Sequence, residues 1–210
     1  MNVEYVDHMG SDLSVVNAAR VSFGKHKTEL GEDDVRLIRF LSRNNHWTPF
    51  SHTSVTVRVK APIFVARQLF KHKVGMTENE VSRRYVDDIP EFFVPDVWRG
   101  RPEGGMKQGS SDTVIPIGSI YTHFLDSTLD MYKYLLSMGV APEQARMVLP
   151  QSMYTEWYWT GNLSSFARIY HLRADSHAQK ETQEVAKMID EIMRPLFPVS
   201  WEALTSEVPK

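Results

Sequence analysis

Between Lys71 and Tyr85 the chain reads Lys-His-Lys-Val-Gly-Met-Thr-Glu-Asn-Glu-Val-Ser-Arg-Arg-Tyr. Four cations, a histidine, an asparagine, two carboxylates and a serine fall within fifteen residues, interleaved with Val74, Gly75, Met76, Val81 and Tyr85. A core segment could not bury that mixture unpaired, because each isolated charge would lose its hydration. The composition suits a pocket that grips an anionic, planar ligand. Arginine forks match phosphate oxygens, and Asn, Glu and Ser can read the polar edge of a ring. A structural account exists for part of the run, since Thr77 and Glu80 have the spacing of a helix capping box. That account leaves Lys71-His72-Lys73 and Arg83-Arg84 unexplained.

A second constellation is Leu172-Arg173-Ala174-Asp175-Ser176-His177-Ala178-Gln179. On a helix, Arg173 and His177 stand i,i+4 and share a face; Ser176 could instead cap the next helix and split them. Taken alone, the segment is more simply a structural Arg–Asp pair with a satisfied histidine. His171 and Asp175 have metal-ligand spacing, but no third ligand and no His-Glu-x-x-His accompany them, so no metal is expected. Arg146, within Ala145-Arg146-Met147-Val148-Leu149-Pro150, reads by itself as a snorkelling surface residue. The aromatic run Tyr154 to Trp159 reads as core or subunit interface, and Trp47 to His52 as a turn. Gly-x-Gly-x-x-Gly, the P-loop and Gly-x-Ser-x-Gly are all absent, which removes the sequence support for a Rossmann site, a P-loop nucleotide site or an α/β-hydrolase.

Composition narrows the field further. The 210 residues are 42% hydrophobic and 24% charged, with a net charge of −2 and no cysteine. That is enough apolar material for a core, and the length suits one domain over residues 1–210. The charge argues against non-specific binding to nucleic acid, which needs a basic face. Without cysteine there is no thiolate nucleophile, disulfide or Cys zinc site. No stretch approaches the roughly 18 apolar residues of a membrane span, and Met1 to Gly10 carries Glu4 and Asp7 where a signal peptide would be apolar. The cytoplasm is the expected compartment, the host cytoplasm if the source is viral.

The elements that must position these residues follow from periodicity. Val3–Val6 and Ser54–Val59 read as strands, the second with Val55, Val57 and Val59 on one face. Helices are expected from Ser11 to about Phe23, Glu32 to Ser42, Ile117 to Ser137, Ser164 to Asp175 and Ala178 to Met193. Pro62 opens another, which delivers Lys71-His72-Lys73 at its end. Met153 to Asn162 is β-prone. Asp87 to Ser111 lacks any period and reads as a lid or rim. The sum is an α+β fold, with helices covering a small, mostly antiparallel sheet.

Taken together and in order, Thr48-Pro49-Phe50, Val59 to Gln68, the run from Lys71, Ala145 to Pro150 and Leu172 to Gln179 resemble the flavin-dependent thymidylate synthases. The similarity covers roughly residues 45 to 195. There are two departures from the family signature of Arg-His-Arg, seven residues, then Ser-x-Arg. Here Lys71-His72-Lys73 is followed by eight residues before Ser82-Arg83-Arg84, with the extra one expected to bulge near Gly75. Lysine keeps the charge but loses the planar fork.

The resemblance implies an enzyme that methylates dUMP to dTMP. The carbon would come from 5,10-methylenetetrahydrofolate, and FAD reduced by NADPH would be the reductant. The assembly would be a homotetramer with shared active sites. It implies that Arg173 is catalytic, sitting beside the uracil edge and favouring an ionised ring. It implies dUMP contacts from Gln68, Lys71, Glu80, Val81, Ser82, Arg83, Arg84 and Arg173, with Arg146 reaching the nucleotide from a neighbouring subunit. It implies FAD contacts from Thr48, Lys71, His72, Lys73, Glu80, Asn162, Ser164, Arg168 and His177. The rival reading is a non-catalytic nucleotide- or flavin-binding homologue. Because no thiol is present, activity is expected to survive iodoacetamide and to disappear when the flavin is stripped. Inactivation by iodoacetamide with flavin still bound would exclude this chemistry.

Overall fold

The computed structural model describes residues 1–86, 88–102, 104 and 109–206. Along the chain the elements are β1 (Asn2–Met9), α1 (Asp12–Arg20), α2 (Glu32–Arg43), β2 (Ser54–Pro62), α3 (Ile63–Leu69) and β3 (Met76–Glu80). They continue with α4 (Ile120–Ser137), α5 (Pro142–Ala145), β4 (Tyr154–Gly161), α6 (Leu163–Arg173), α7 (Lys180–Leu196) and α8 (Pro198–Ser206). The strands form one sheet in the order β1-β2-β4-β3, and every neighbouring pair is antiparallel. The α+β expectation holds, with a sheet that is wholly antiparallel.

One face of this sheet makes the core. Val55, Val57, Val59 and Ala61 form the buried row of β2. β4 sets Trp159 opposite Val57 and Trp157 opposite Val59. Opposed residues share a face, so both indoles join the buried row, while Tyr158 between them is 50% exposed on the other side. The aromatic run is therefore core for its two tryptophans. Against this face pack Ile38 and Leu41 of α2, Phe166 and Ile169 of α6, Val185 and Ile189 of α7, and Trp201 of α8. The outer face is polar: Thr56 bonds Thr160 at 2.9 Å and Arg58 pairs with Glu156.

Two buried carboxylates tie the helices together. Asp34 of α2 accepts from Arg20 Nε at 3.0 Å and from the Gly31 N–H at 3.0 Å. Burial pushes its carboxyl up, but the Gly31 N–H, Arg20 and Lys27 hold it below its ordinary value. Asp12, in the first turn of α1, accepts from the N–H groups of Val199 and Ser200 at 2.9 and 2.8 Å. Those donors belong to the first turn of α8 and have no intrahelical acceptor, so Asp12 caps α8 from a distant part of the chain.

The structure differs from the periodicity in places. The helix expected from Ser11 to Phe23 tightens into a 3-10 turn over Val21–Phe23, and α4 begins at Ile120. Thr77 to Glu80 do not start a helix. They form β3, with Thr77 opposite Thr160 and Glu80 opposite Trp157, because the free edge of β4 offers a full ladder against one local cap. The expected excursion from Asp87 to Ser111 lies partly outside the described residues. Its described part meets the rest through isolated bridges, Phe92 with Met153 and Arg99 with Val114, and through the ion pairs of Glu91 with Lys60 and Arg99 with Glu181. Among the described residues, no helix is long and apolar enough to cross a membrane.

Asp12→Ala should leave the Val199 and Ser200 donors buried and unpaired. Equilibrium denaturation is expected to show a loss of roughly 1–3 kcal/mol.

Candidate functional site

β3 runs between two clefts that share none of their lining residues. At its start lies the turn expected to bulge. Gly75 has φ 72°, and a Cβ there would overlap the Ser165 hydroxyl and approach the Asn162 amide at 2.9 Å. Glycine meets both demands. The preceding carbonyl, that of Val74, accepts from Ser165 Oγ at 3.0 Å and from Arg168 Nη2 at 2.6 Å. The turn is thereby fastened to the first half of α6. Asn162 caps that helix, its Oδ1 accepting from the Ser165 N–H at 2.8 Å.

The cleft at this end encloses about 670 Å³ and is lined by Trp47, Phe50, Gly75, Asn162, Ser164 and Arg168, among others. An aromatic wall beside amide and hydroxyl groups and one cation is the chemistry a flavin dinucleotide needs, so these residues fit that group. Thr48, expected beside it, is exposed and stands just before the 3-10 turn Pro49–His52, next to Trp47.

The cleft at the far end of β3 encloses about 1030 Å³. It gathers Glu80, Val81, Ser82, Arg83 and Arg84 with Arg67 of α3 and Arg146 of the turn after α5. Glu80 accepts from Thr155 Oγ1 at 2.6 Å, and the Val81 N–H donates to the Glu156 carbonyl at 2.9 Å. Arg84 Nε donates to Ser82 Oγ at 3.2 Å, Arg83 to the Asp88 carbonyl, and Arg146 Nε to the Glu143 carbonyl at 3.2 Å.

His72 and Arg173 meet outside both linings. Arg173 Nε donates to His72 Nε2 at 2.9 Å, and His72 is only 9% exposed. An acceptor at Nε2 puts the proton of a neutral ring on Nδ1. Burial, then the charges of Arg173 and Arg168, bring its pKa down from 6.5 to about 4.

Twelve of the fourteen arginines fall into two groups. Arg20, Arg36, Arg39, Arg58, Arg99 and Arg194 each pair with a carboxylate within 4.0 Å. Arg67, Arg83, Arg84, Arg146, Arg168 and Arg173 have no carboxylate at that distance among the described residues. Five of these six bond a neutral acceptor instead: a hydroxyl, a carbonyl or an imidazole. A guanidinium held by a dipole keeps its charge for an anion, whereas one held by a carboxylate does not.

Other expected residues are placed differently. Lys73 is turned to Glu78 and lies 5.8 Å from the centre of the Phe70 ring, so its charge is matched within β3. Lys71 is exposed. The Gln68 amide donates to Gln179 Oε1 at 2.5 Å and accepts from Thr182 at 3.5 Å. His177 shares no helical face with Arg173, because α6 ends at Arg173. Asp175 accepts from the His177 N–H at 2.8 Å and its carbonyl from the Ala178 N–H at 2.9 Å. This side-chain turn competes with the helix and leaves His177 exposed against Asp175. His171 bonds the Leu204 carbonyl at 2.7 Å.

Sequence reasoning gave no separate role to Arg67, whose only signal was its place before Gln68. It also missed a chain of hydrogen bonds from Arg99 to Glu181, on to Gln179, and from there to Gln68. Arg99 lies in the segment without a period, where spacing carries no information.

A histidine whose folded pKa lies below its ordinary value is stabilising while neutral. His72 should therefore contribute a loss of stability as pH falls from about 6.5 to about 4, and no further change below that. His72→Gln is expected to remove this component, read from denaturation midpoints across the window.

Comparison with known proteins adds a family to this geometry. The family model described as thymidylate synthase complementing protein matches residues 4–199. A flavin-dependent thymidylate synthase of Thermosipho africanus is 43% identical over 202 residues, covering 94% of this chain and 88% of that protein. One from Thermotoga neapolitana is 43% identical, covering 96% and 89%. Among solved structures, a UMP/dUMP methylase, PolB from Streptomyces cacaoi, bound with 5-Br dUMP, superposes with a TM-score of 0.87. It is 36% identical, and the match covers 98% of this chain and 94% of that one. The strand that joins the two clefts, with the arginines around it, thus stands in a chain that belongs to the thymidylate synthase complementing protein family.

Proposed function

We propose that this chain is a flavin-dependent thymidylate synthase that converts dUMP to dTMP. The observation that carries the reading is the set of six arginines held by neutral groups or by none, gathered about β3 and the end of α6. An anionic nucleotide can take the place of water on such cations without first breaking an ion pair. The relatives' shared name and the nucleotide bound to PolB support the same substrate class.

The far cleft is assigned to dUMP. Arg84, Arg83 and Arg146 would meet the phosphate. Ser82 and the backbone of Glu80 and Val81 would position the sugar and base. Arg173, which lies outside this cleft in its own chain, would be brought to the uracil ring across subunits and stabilise negative charge as the ring ionises, a role that suits a preorganised cation. The cleft beside Gly75 is assigned to FAD, through Asn162, Ser164, Arg168 and the Trp47 wall. Bound and reduced, the flavin supplies the reducing equivalents; methylenetetrahydrofolate supplies the carbon and NADPH the electrons that recharge the flavin. The protein binds and orients these partners and supplies no nucleophile of its own, in keeping with the absence of cysteine.

We further propose a cytoplasmic homotetramer in which each 210-residue chain acts as one domain. The two clefts of a chain are separated by the length of β3, roughly 17 Å at about 3.4 Å per residue. A site that brings nucleotide and flavin together across subunits accounts for that separation, with Arg146 contributed by a neighbour.

The direct test is purification followed by spectroscopy and turnover: a flavin spectrum bleached by NADPH, then dTMP formation from dUMP and methylenetetrahydrofolate. Complementation of a thymidine auxotroph tests the same reading in cells. Flavin binding without dTMP formation would favour the non-catalytic homologue. Arg146→Ala and Arg173→Ala chains should each be nearly inactive alone and regain part of the activity when mixed, because some sites then combine two intact halves. An active monomer by light scattering would refute the shared site.

A further inference from the structure

We propose that His72 is a positioning residue for Arg173, holding the guanidinium through an uncharged nitrogen so that its full charge faces the pyrimidine ring. This deepens the reading above and rests on it.

Arg173 is the last residue of α6, so its side chain leaves the end of a helix with no further turn to steady it. His72 is fixed before it meets Arg173: its backbone N–H donates to the Leu69 carbonyl at 3.0 Å, and its ring is buried. The 2.9 Å bond from Arg173 Nε engages one edge of the guanidinium. The terminal nitrogens have no hydrogen-bond partner among the described residues and remain available to a ligand.

The chemistry of the acceptor matters as much as its place. A carboxylate here would orient Arg173 as firmly but would cancel the charge that the ionised ring needs. A protonated imidazole would set N–H against N–H and release the arginine. Only the neutral ring orients without neutralising. The charged groups around it favour that state. Arg168 and Arg173 face it from α6, Lys71 and Lys73 flank it in sequence, and no carboxylate is within 4.0 Å of either α6 arginine among the described residues. Lys73, the neighbour of His72 in sequence, is paired with Glu78. The same turn fixes Arg168 by the same means, through the Val74 carbonyl.

The test compares wild type with His72→Gln, which keeps an uncharged acceptor at similar reach, His72→Glu, which substitutes a charged one, and His72→Ala. Calorimetry on the flavin-loaded proteins gives affinities for dUMP and for 5-fluoro-dUMP, whose ring N–H is the more acidic, from neutral to alkaline pH. Wild type and His72→Gln should prefer the fluorinated nucleotide increasingly as its ring ionises. His72→Glu and His72→Ala should lose that preference by about tenfold, the worth of one charge-assisted contact. Equal preference in His72→Ala and wild type, or loss of flavin alone, would overturn the proposal.

Nitrogen-15 NMR of nucleotide-free protein separates this from the functional reading. At neutral pH His72 should carry its proton on Nδ1, and Arg173→Ala should shift the Nε2 resonance and raise the pKa of the ring. Finding the proton on Nε2, or no response to Arg173→Ala, would overturn the positioning role whatever the protein binds. Failure of wild type to bind either nucleotide, with the NMR result as expected, would overturn the assignment of the pyrimidine as what Arg173 faces.

Discussion

The antiparallel pairing of β3 with β4 is the constraint on which the site depends. Five residues, Met76 to Glu80, lie opposite Gly161 to Trp157 in unbroken register. β4 is itself locked by two buried tryptophans against the valine row of β2, so β3 inherits the rigidity of the sheet centre although it lies at an edge. Its start places the Val74-Gly75 turn on α6, and its end releases Val81 to Arg84 beside Arg67 and Arg146. A one-residue slip would move Glu80 away from Thr155 and turn Met76 to the opposite face. The tight approach of Gly161 to Met76 opposes such a slip, since a Cβ on Gly161 would overlap the Met76 thioether.

Electrostatics then separates scaffold from site. On the scaffold, charges are matched in pairs: Arg58 with Glu156, Lys60 with Glu91, Arg194 with Asp190. Exposed pairs of that kind contribute little each, but they leave little net field on the outer face of the sheet. Around β3 and α6 the cations are oriented by dipoles instead. The local positive potential survives in a protein whose net charge is −2, which is how a mildly acidic chain can still present an anion site.

Much of this was legible in the sequence where the signal is periodic or compositional. Val55, Val57 and Val59 announced β2, and the run from Lys71 to Tyr85 announced a ligand-binding segment. The ordered stretches carried the family resemblance. Local signals failed where a tertiary partner outbid them. The capping-box spacing of Thr77 and Glu80 yielded to the free edge of β4. The i,i+4 spacing of Arg173 and His177 was broken by the turn that Asp175 makes with its own backbone. Lys73 reads as a free cation until Glu78 is folded back onto it. The partnership of His72 with Arg173 joins residues 101 apart in the chain, and spacing carries no trace of it.

The capping of α8 by Asp12 spans 187 and 188 residues. It has a consequence for the order in which the molecule is made. While the chain emerges from the ribosome, β1 and β2 can pair early, and β4 can join once residue 161 is available. Asp12 must remain solvated until residues 199 and 200 have appeared, because nothing earlier in the chain supplies its donors. Closing that long loop comes at an entropic cost that earlier contacts must already have offset. The final docking of α1 on α8 thus acts as a completion step, withheld from any nascent or truncated chain that lacks the second partner.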